Sequence, residues 1–407
     1  MSRREVAVTG AGLVSPAGIG LAENWRTLNA GVSVARRDPI LAGLPVSFSC
    51  SVPEADWGGL LGHKVYRRAD RFVMFALGAA REAVADAGLN TREWDHNRVA
   101  VVMGVGASSM ERWQPEYDRL GTGQPQKVSP LALLRSLPSS VSAEVAMDLG
   151  AKGPNLAVST ACASGGSAIG LARDLLLSGA CDIAIAGGSE STRSRMAATC
   201  FHQMRALSPG GDDVAAASRP FDVDRNGFVL GEGAGVLVLE RAEHAEARGI
   251  RAHAYLCGFG ASSDAGHPTQ PDQDGDGAVR AMQTSVEDAG VAPGEVDHVN
   301  AHGTSTPLND LTESRALRKV FGAPPPVTAV KSVIGHAVGG AGAIEAVISV
   351  LTLEKQTISP TVNLDCLDPE IDLDVVVGAS RRTRLRYVMS NSFGFGGHNV
   401  ALLFRAA

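Results

Sequence analysis

Two stretches of this chain follow one plan: an amphipathic helix, an Asp-Ala-Gly stop, a short polar loop and an apolar strand. Asp86-Ala87-Gly88 ends the first helix ahead of a strand read at Val99 to Met103. Asp288-Ala289-Gly290 ends the second ahead of one read at Val296 to Asn300. Glycine stops a helix readily because it enters the left-handed conformation without a Cβ penalty, and a short apolar run between polar loops reads as a buried strand. A repeated unit constrains the fold more than any single motif, because it asks for an internally duplicated α/β body. The halves divide near residue 250, as a unit over 1–249 and a unit over 250–407, with no Pro/Ser-rich linker between them.

The rest of the pattern fills in that plan. The helix from about Arg71 to Ala87 places Phe72, Ala76, Ala79 and Ala83 on one face, and further segments read as a helix near Val141 to Leu149 and strands at Ile183 to Ala186 and Gly235 to Glu240. Between two such elements lies Cys162, in Ser159-Thr-Ala-Cys-Ala-Ser-Gly-Gly166. A strand over Asn155 to Ser159, expected to be buried, precedes it. A helix carrying Ala168, Ile169, Ala172, Leu175 and Leu176 follows, until Gly179. This placement aims backbone N–H groups and the positive end of a helix at the thiol, and so predicts a stabilised, nucleophilic thiolate. A buried, inert core thiol is the alternative.

Three further clusters carry polar chemistry. Asn300-Ala-His302-Gly-Thr304-Ser-Thr306 follows a strand, Lys331-Ser-Val-Ile-Gly-His336 precedes Gly339-Gly340-Ala-Gly342, and Asn391-Ser-Phe393-Gly394-Phe395-Gly-Gly-His398 is a glycine-rich turn between strands. Each alone reads equally well as scaffold; a thiol, two histidines and a glycine loop together read as a site. Zinc is disfavoured because no two candidate ligands fall at metal-site spacing. The net charge of −6 argues against nucleic acid. Six scattered cysteines, no membrane-length apolar run and Met-Ser-Arg-Arg leading straight into a strand at Val6 read as a cytoplasmic protein without a signal peptide.

At these residues the chain closely resembles the elongating β-ketoacyl-acyl-carrier-protein synthases and the related ketosynthases of polyketide assembly. The resemblance runs from Val8-Thr-Gly-Ala-Gly-Leu-Val-Ser-Pro16, through Ser218-Arg-Pro-Phe-Asp222 and Gly227-Phe-Val-Leu-Gly-Glu-Gly233, to the terminal glycine loop. It implies the thiolase fold, two βαβαβαββ halves in five layers. It also implies decarboxylative Claisen condensation of a Cys162-bound acyl chain with malonyl-carrier protein, with no organic cofactor. His302 and His336 would serve decarboxylation, with Lys331 organising them. The N–H groups of Cys162 and Phe395 would form the oxyanion hole, and Phe393, Gly394 and Phe395 the gate. Phe201 would border the acyl chain, Thr304 and Thr306 the phosphopantetheine arm, and Asp264 and Thr269 a loop moving with the gate. A structural Na⁺ or K⁺ would sit among Asn300, Ala301, Glu345, Ser390 and Asn391.

The implied partners are an acidic carrier protein and a second ketosynthase-like chain, either another copy or a chain-length-factor-like subunit. Carrier docking would use Arg67, Arg68, Lys127 and Arg205, although Gln126 replaces a frequently basic neighbour. Ala107 stands where the family usually has a bulky aliphatic at the acyl-pocket floor, which predicts extra room there. Arg193 and Arg195 fall in a segment that usually carries few charges, and are expected to be solvated or to face a partner. These last two departures lean toward a polyketide pathway. A thiolase proper is disfavoured because the terminal loop holds His398 and no cysteine, and a non-catalytic chain-length-factor-like subunit because Cys162 and both histidines are present.

Overall fold

The computed structural model describes residues 6–108 and 110–407. The first half contributes strands β1 (Val6–Ser15), β2 (Val99–Gly104), β3 (Asn155–Val158), β4 (Ile183–Ser191) and β5 (Glu232–Arg241). The second contributes β6 (Ala254–Ser263), β7 (His298–Asn300), β8 (Val327–Thr328), β9 (Tyr387–Gly394) and β10 (His398–Ala406). They run in space as β3-β2-β4-β5-β1 and then β6-β10-β9-β7-β8. The strands form one continuous sheet, joined where β1 pairs with β6, and counted within its half each five-stranded part has the order third, second, fourth, fifth, first. Strand directions repeat as well. β2 is parallel to β3 and β4, while β5 is antiparallel to β4 and β1. In the second half β7 is parallel to β8 and β9, while β10 is antiparallel to β9 and β6. The duplication read from two Asp-Ala-Gly stops is thus written into the whole topology.

Helices complete five layers. α1 (Arg71–Asp86) and α2 (Ser139–Leu149) cover the outer face of the first part, and α4 (Asp276–Ala289) and α5 (Pro307–Phe321) that of the second. α3 (Ser164–Leu177) and α6 (Ala341–Lys355) lie between the two parts. Small residues make this middle layer possible. Ala168, Ala172, Ala343 and Ala346 pack with Ala184, Ala186, Val388 and Leu402 in one core, and a Cβ on Gly235 would overlap the carbonyl of Ala343. Each larger side chain buried there, such as Ile169 or Val347, contributes about 1.5–3 kcal/mol. α6 is buried on every side from Ala341 to Leu353, so its polar residues need internal partners: Ser349 Oγ donates to Glu345 O at 2.8 Å and Thr352 Oγ1 to Ile348 O at 2.9 Å.

One expectation fails here. β3 is exposed rather than buried, with Leu156 39% accessible. It is the outer strand of its sheet and pairs only with β2, so its other edge and part of its faces meet solvent. The corresponding strand β8 is covered, because Val327 N donates to Asp374 O at 2.8 Å and Val376 N donates to Val327 O at 2.9 Å. Among the described residues, no helix is long and apolar enough to cross a membrane.

Candidate active site

The segments that leave β3, β4, β7, β8 and β9 bring residues of both halves to one cavity of about 380 Å³. Cys162 reaches it from the turn between β3 and α3. Ala161 takes φ +50°, Ala163 N donates to Thr160 O at 3.0 Å, and Ser164 Oγ donates to Ala161 O at 2.6 Å, so the turn is closed before the helix begins. The glycine loop after β9 lies directly on it: a Cβ on Gly394 would stand 2.8 Å from Thr160 O and 3.0 Å from Cys162 N. Glycine is therefore required at this position for the loop to reach the thiol.

The expected thiolate is corrected by the structure. Burial pushes the Cys162 thiol up to about 11, outweighing the Lys331 charge and the N–H groups of Phe395 and Cys162 that pull the other way. A helix N-terminus favours an anion, but taking the sulfur out of water costs more. The same geometry supports the expected oxyanion hole, because those two N–H groups are the ones that converge on the sulfur.

His302 follows β7 and His336 follows Lys331, and their rings meet edge-on with centroids 5.3 Å apart. Phe228 stands against His336 at 5.2 Å and Phe393 against His302 at 5.7 Å. Burial, reinforced by the Lys331 charge, holds both imidazoles well below their usual value, so they are neutral. Lys331 Nζ donates to His302 O at 2.6 Å and lies 3.4 Å from His302 Nδ1. With Nδ1 facing a cation, the ring hydrogen belongs on Nε2, where it can be donated. Lys331 is also ion-paired with Glu345.

The remaining expected residues differ in where they lie. Phe201, Phe395, Asp264, Thr269, Thr304, Thr306 and Arg205 line the cavity with the catalytic set. Thr304 and Thr306 hydroxyls lie 2.9 Å apart. Asp264 N donates to Gly397 O at 2.9 Å and Asn399 Nδ2 donates to Asp264 Oδ1 at 2.6 Å, which ties the loop at Asp264 to the glycine loop. Arg67 and Lys127 are exposed and outside the cavity, and Arg68 is engaged with Glu144 at 2.6 Å. Ala107 does not line the cavity; its N–H is bound by Glu190 Oε2 at 2.8 Å. Arg193 is half-buried against the body, whereas Arg195 is exposed, as expected. Arg193 donates to buried Asp38 at 2.8 Å and Arg195 to Ala42 O at 2.7 Å, pinning the segment before β2 to the body.

The sequence reading missed Glu313. From the inner face of α5 its carboxylate accepts the N–H of His302 at 2.8 Å and of Gly303 at 2.9 Å, which fixes the histidine loop. Burial raises this carboxyl to about 7. One turn earlier, Asp310 accepts the N–H groups of Ser305 and Phe221 at 3.1 and 2.9 Å. Two acids at i and i+3 on the buried face of a helix are uncommon, and that spacing is the signal that could have found them.

Residues 3–245 match the family described as Beta-ketoacyl synthase, N-terminal domain, and residues 253–365 its C-terminal domain. The chain is 40% identical to the 3-oxoacyl-(acyl-carrier-protein) synthase 2 of Staphylococcus aureus, over 99% of this chain and 98% of that one. It is 41% identical to the synthase of the same name from Coxiella burnetii, over 99% of both. Among solved structures, the ishigamide ketosynthase/chain length factor superposes with a TM-score of 0.93 at 37% identity, covering 100% of both chains. A β-ketoacyl synthase from Burkholderia phymatum gives 0.92 at 36% identity, covering 99% of this chain and all of the other. The repeated strand order is that of the thiolase fold these ketosynthases share, and the convergence of thiol, histidine pair and glycine loop is the arrangement their chemistry requires: the chain belongs to the β-ketoacyl synthase family.

Proposed function

We propose that this protein is a 3-oxoacyl-(acyl-carrier-protein) synthase that elongates acyl chains in fatty acid or polyketide assembly. The observation that carries the reading is the meeting of two N–H donors at Cys162 Sγ in the same cavity as two neutral histidines. In the loading step Cys162 attacks the carrier-bound thioester, the Cys162 S–C bond forms as the pantetheine C–S bond breaks, and the thiol proton passes to the leaving thiolate. The N–H groups of Cys162 and Phe395 hold the oxyanion. In the condensing step malonyl thioester loses CO₂, its C–C electron pair becomes the enolate, and the Nε2–H of His302 and a ring N–H of His336 bind the enolate oxygen. The enolate carbon then attacks the Cys162 thioester, the Cys162 C–S bond breaks, and the thiolate takes a proton from solvent. Neutral imidazoles can fill this role because each carries one N–H that donates to the enolate oxygen.

Acyl- and malonyl-carrier protein are expected to yield one CO₂ per β-ketoacyl product; release of CO₂ without product in the unsubstituted protein would remove the reading. The same assay tests carrier docking. An acidic enzyme meeting an acidic carrier needs a local basic surface, and exposed Arg67, Lys127 and Arg205 supply it, whereas Arg68 is already paired. Arg67→Glu with Arg205→Glu is expected to raise KM for carrier-bound substrate about tenfold or more and to spare small thioester mimics. Equal effects on the two substrates would discard the surface. The features that leaned toward a polyketide pathway are weakened, since Arg193 is tied to buried Asp38 and Ala107 lies off the cavity.

A second chain would cover the bare edge of β3. Exposed Leu133 and Leu134, at 59% and 58%, lie on a short helix leading into α2, which packs beside that strand. Another copy or a chain-length-factor-like subunit fits this surface; a lone protomer by light scattering at assay concentration would argue for the latter. Six free thiols fit a reducing cytoplasm.

The cation reading has support in four buried oxygen atoms without hydrogen-bond partners: Asn300 Oδ1, Ser390 Oγ, Asn391 Oδ1 and Glu345 Oε2. Asn300 and Ser390 are direct neighbours across β7 and β9, and Asn300 Nδ2 donates to Glu345 O at 3.2 Å. Ala301 is fixed beside them by its N–H to Thr328 O. Oxygen-only donors suit Na⁺ or K⁺, whose charge would offset the buried Glu345 carboxylate without entering the reaction. Tm is expected to rise in K⁺ or Na⁺ over an equal concentration of tetramethylammonium, and Asn391→Ala to remove the difference. Equal Tm in all three salts would exclude the site.

A further inference from the structure

We propose that Val338 is the stop that limits acyl chain length in this protein, ahead of Ala107. This rests on the condensing reading, in which the acyl chain hangs from Cys162 into the cavity. Val338 lines that cavity beside Cys162 and His336 and is 5% exposed. Its φ is +41°. For a β-branched residue this is a true outlier, and such strain persists only where the surroundings over-determine it.

The surroundings do so from both directions. Upstream, His336 N donates to Val229 O at 2.8 Å. Downstream, Gly340 N donates to Ala337 O at 2.9 Å, and the chain then enters α6. Behind Val338 two backbones touch, since a Cβ on Gly339 would overlap Gly106 N. Val338 Cγ1 itself stands 3.1 Å from where a Cβ of Gly106 would lie. Gly106 cannot retreat, because its N–H and that of Ala107 are held by Glu190 Oε2 at 2.7 and 2.8 Å. The branched side chain is therefore wedged between a fixed backbone and the cavity. A chain growing from Cys162 meets Val338 first, and the small side chain at 107 adds length only when position 338 yields.

The test is a ladder of straight-chain acyl-carrier substrates from acetyl upward, with loading on Cys162 read by intact mass and kcat/KM read for each length. Val338→Ala is expected to admit the first chain that the unsubstituted protein refuses, with a gain of roughly 10–200-fold for a methylene accommodated. Val338→Leu is expected to refuse the longest chain normally accepted. Val338→Gly should also lengthen the limit, and should melt no lower than Val338→Ala because glycine adopts this φ freely. Ala107→Phe alone should leave the limit in place, yet cancel the gain when combined with Val338→Ala. An unmoved limit in folded Val338→Ala and Val338→Leu would overturn the proposal, as would a limit shortened by Ala107→Phe alone. If the unsubstituted protein loads no acyl group at all, the condensing reading falls and this inference falls with it; loading with an unmoved limit overturns only the role of Val338.

Discussion

Cys162→Ala is expected to abolish acyl loading and condensation, by roughly 10⁴-fold or more, the order of loss when the nucleophile of a covalent mechanism is removed. The protein should still fold. The side chain lost is small, and the turn that carries it is held by Thr160, Ala161, Ala163 and Ser164 rather than by the sulfur. Cys162→Gln separates the two halves of the chemistry. Its amide oxygen would accept the N–H groups of residue 162 and Phe395, as an acyl thioester does, so malonyl decarboxylation should continue while condensation stops. Intact mass for loading and ¹⁴CO₂ release for decarboxylation read the two steps separately. Normal product from Cys162→Ala would end the condensing-enzyme assignment.

His302→Ala and His336→Ala are expected to lower condensation by roughly 10²–10³-fold each, the loss on removing one preorganised donor from a developing oxyanion. Loading should fall less, because the oxyanion hole proposed for that step is made of backbone N–H groups that neither substitution touches. The two losses should not add, since the rings pack on each other and His302 also shares Lys331. Melting curves must accompany the kinetics, as removing either ring leaves a cavity against Phe228 or Phe393. Equal losses in loading and condensation would reduce the histidines to scaffold.

The local features of this protein were legible in the chain. Helix α1 shows its buried face at Phe72, Ala76, Ala79 and Ala83, and Gly88 and Gly290 mark the stops they were read as. The strand-turn-helix around Cys162 and the glycine loop at Phe395 were both visible as short patterns, and the fold brings them together. Periodicity, glycine stops and turn chemistry depend on neighbours within a few residues, and a sequence carries that information directly.

Burial and approach at a distance were decided elsewhere. β3 looks like a core strand by composition, and only its place at the sheet edge exposes it. Cys162 sits at a helix N-terminus that argues for a thiolate, yet enclosure by residues from both halves keeps the thiol protonated. Arg193 looks like a surface charge until Asp38, 155 residues earlier in the chain, pairs with it. Glu313 gains its meaning only when α5 turns it onto the backbone of His302. The sequence by itself determined which segments are helix or strand, that the body is duplicated, and which side chains can do the chemistry. Tertiary structure decided their protonation and their partners, because each depends on desolvation and contact between segments far apart in the chain.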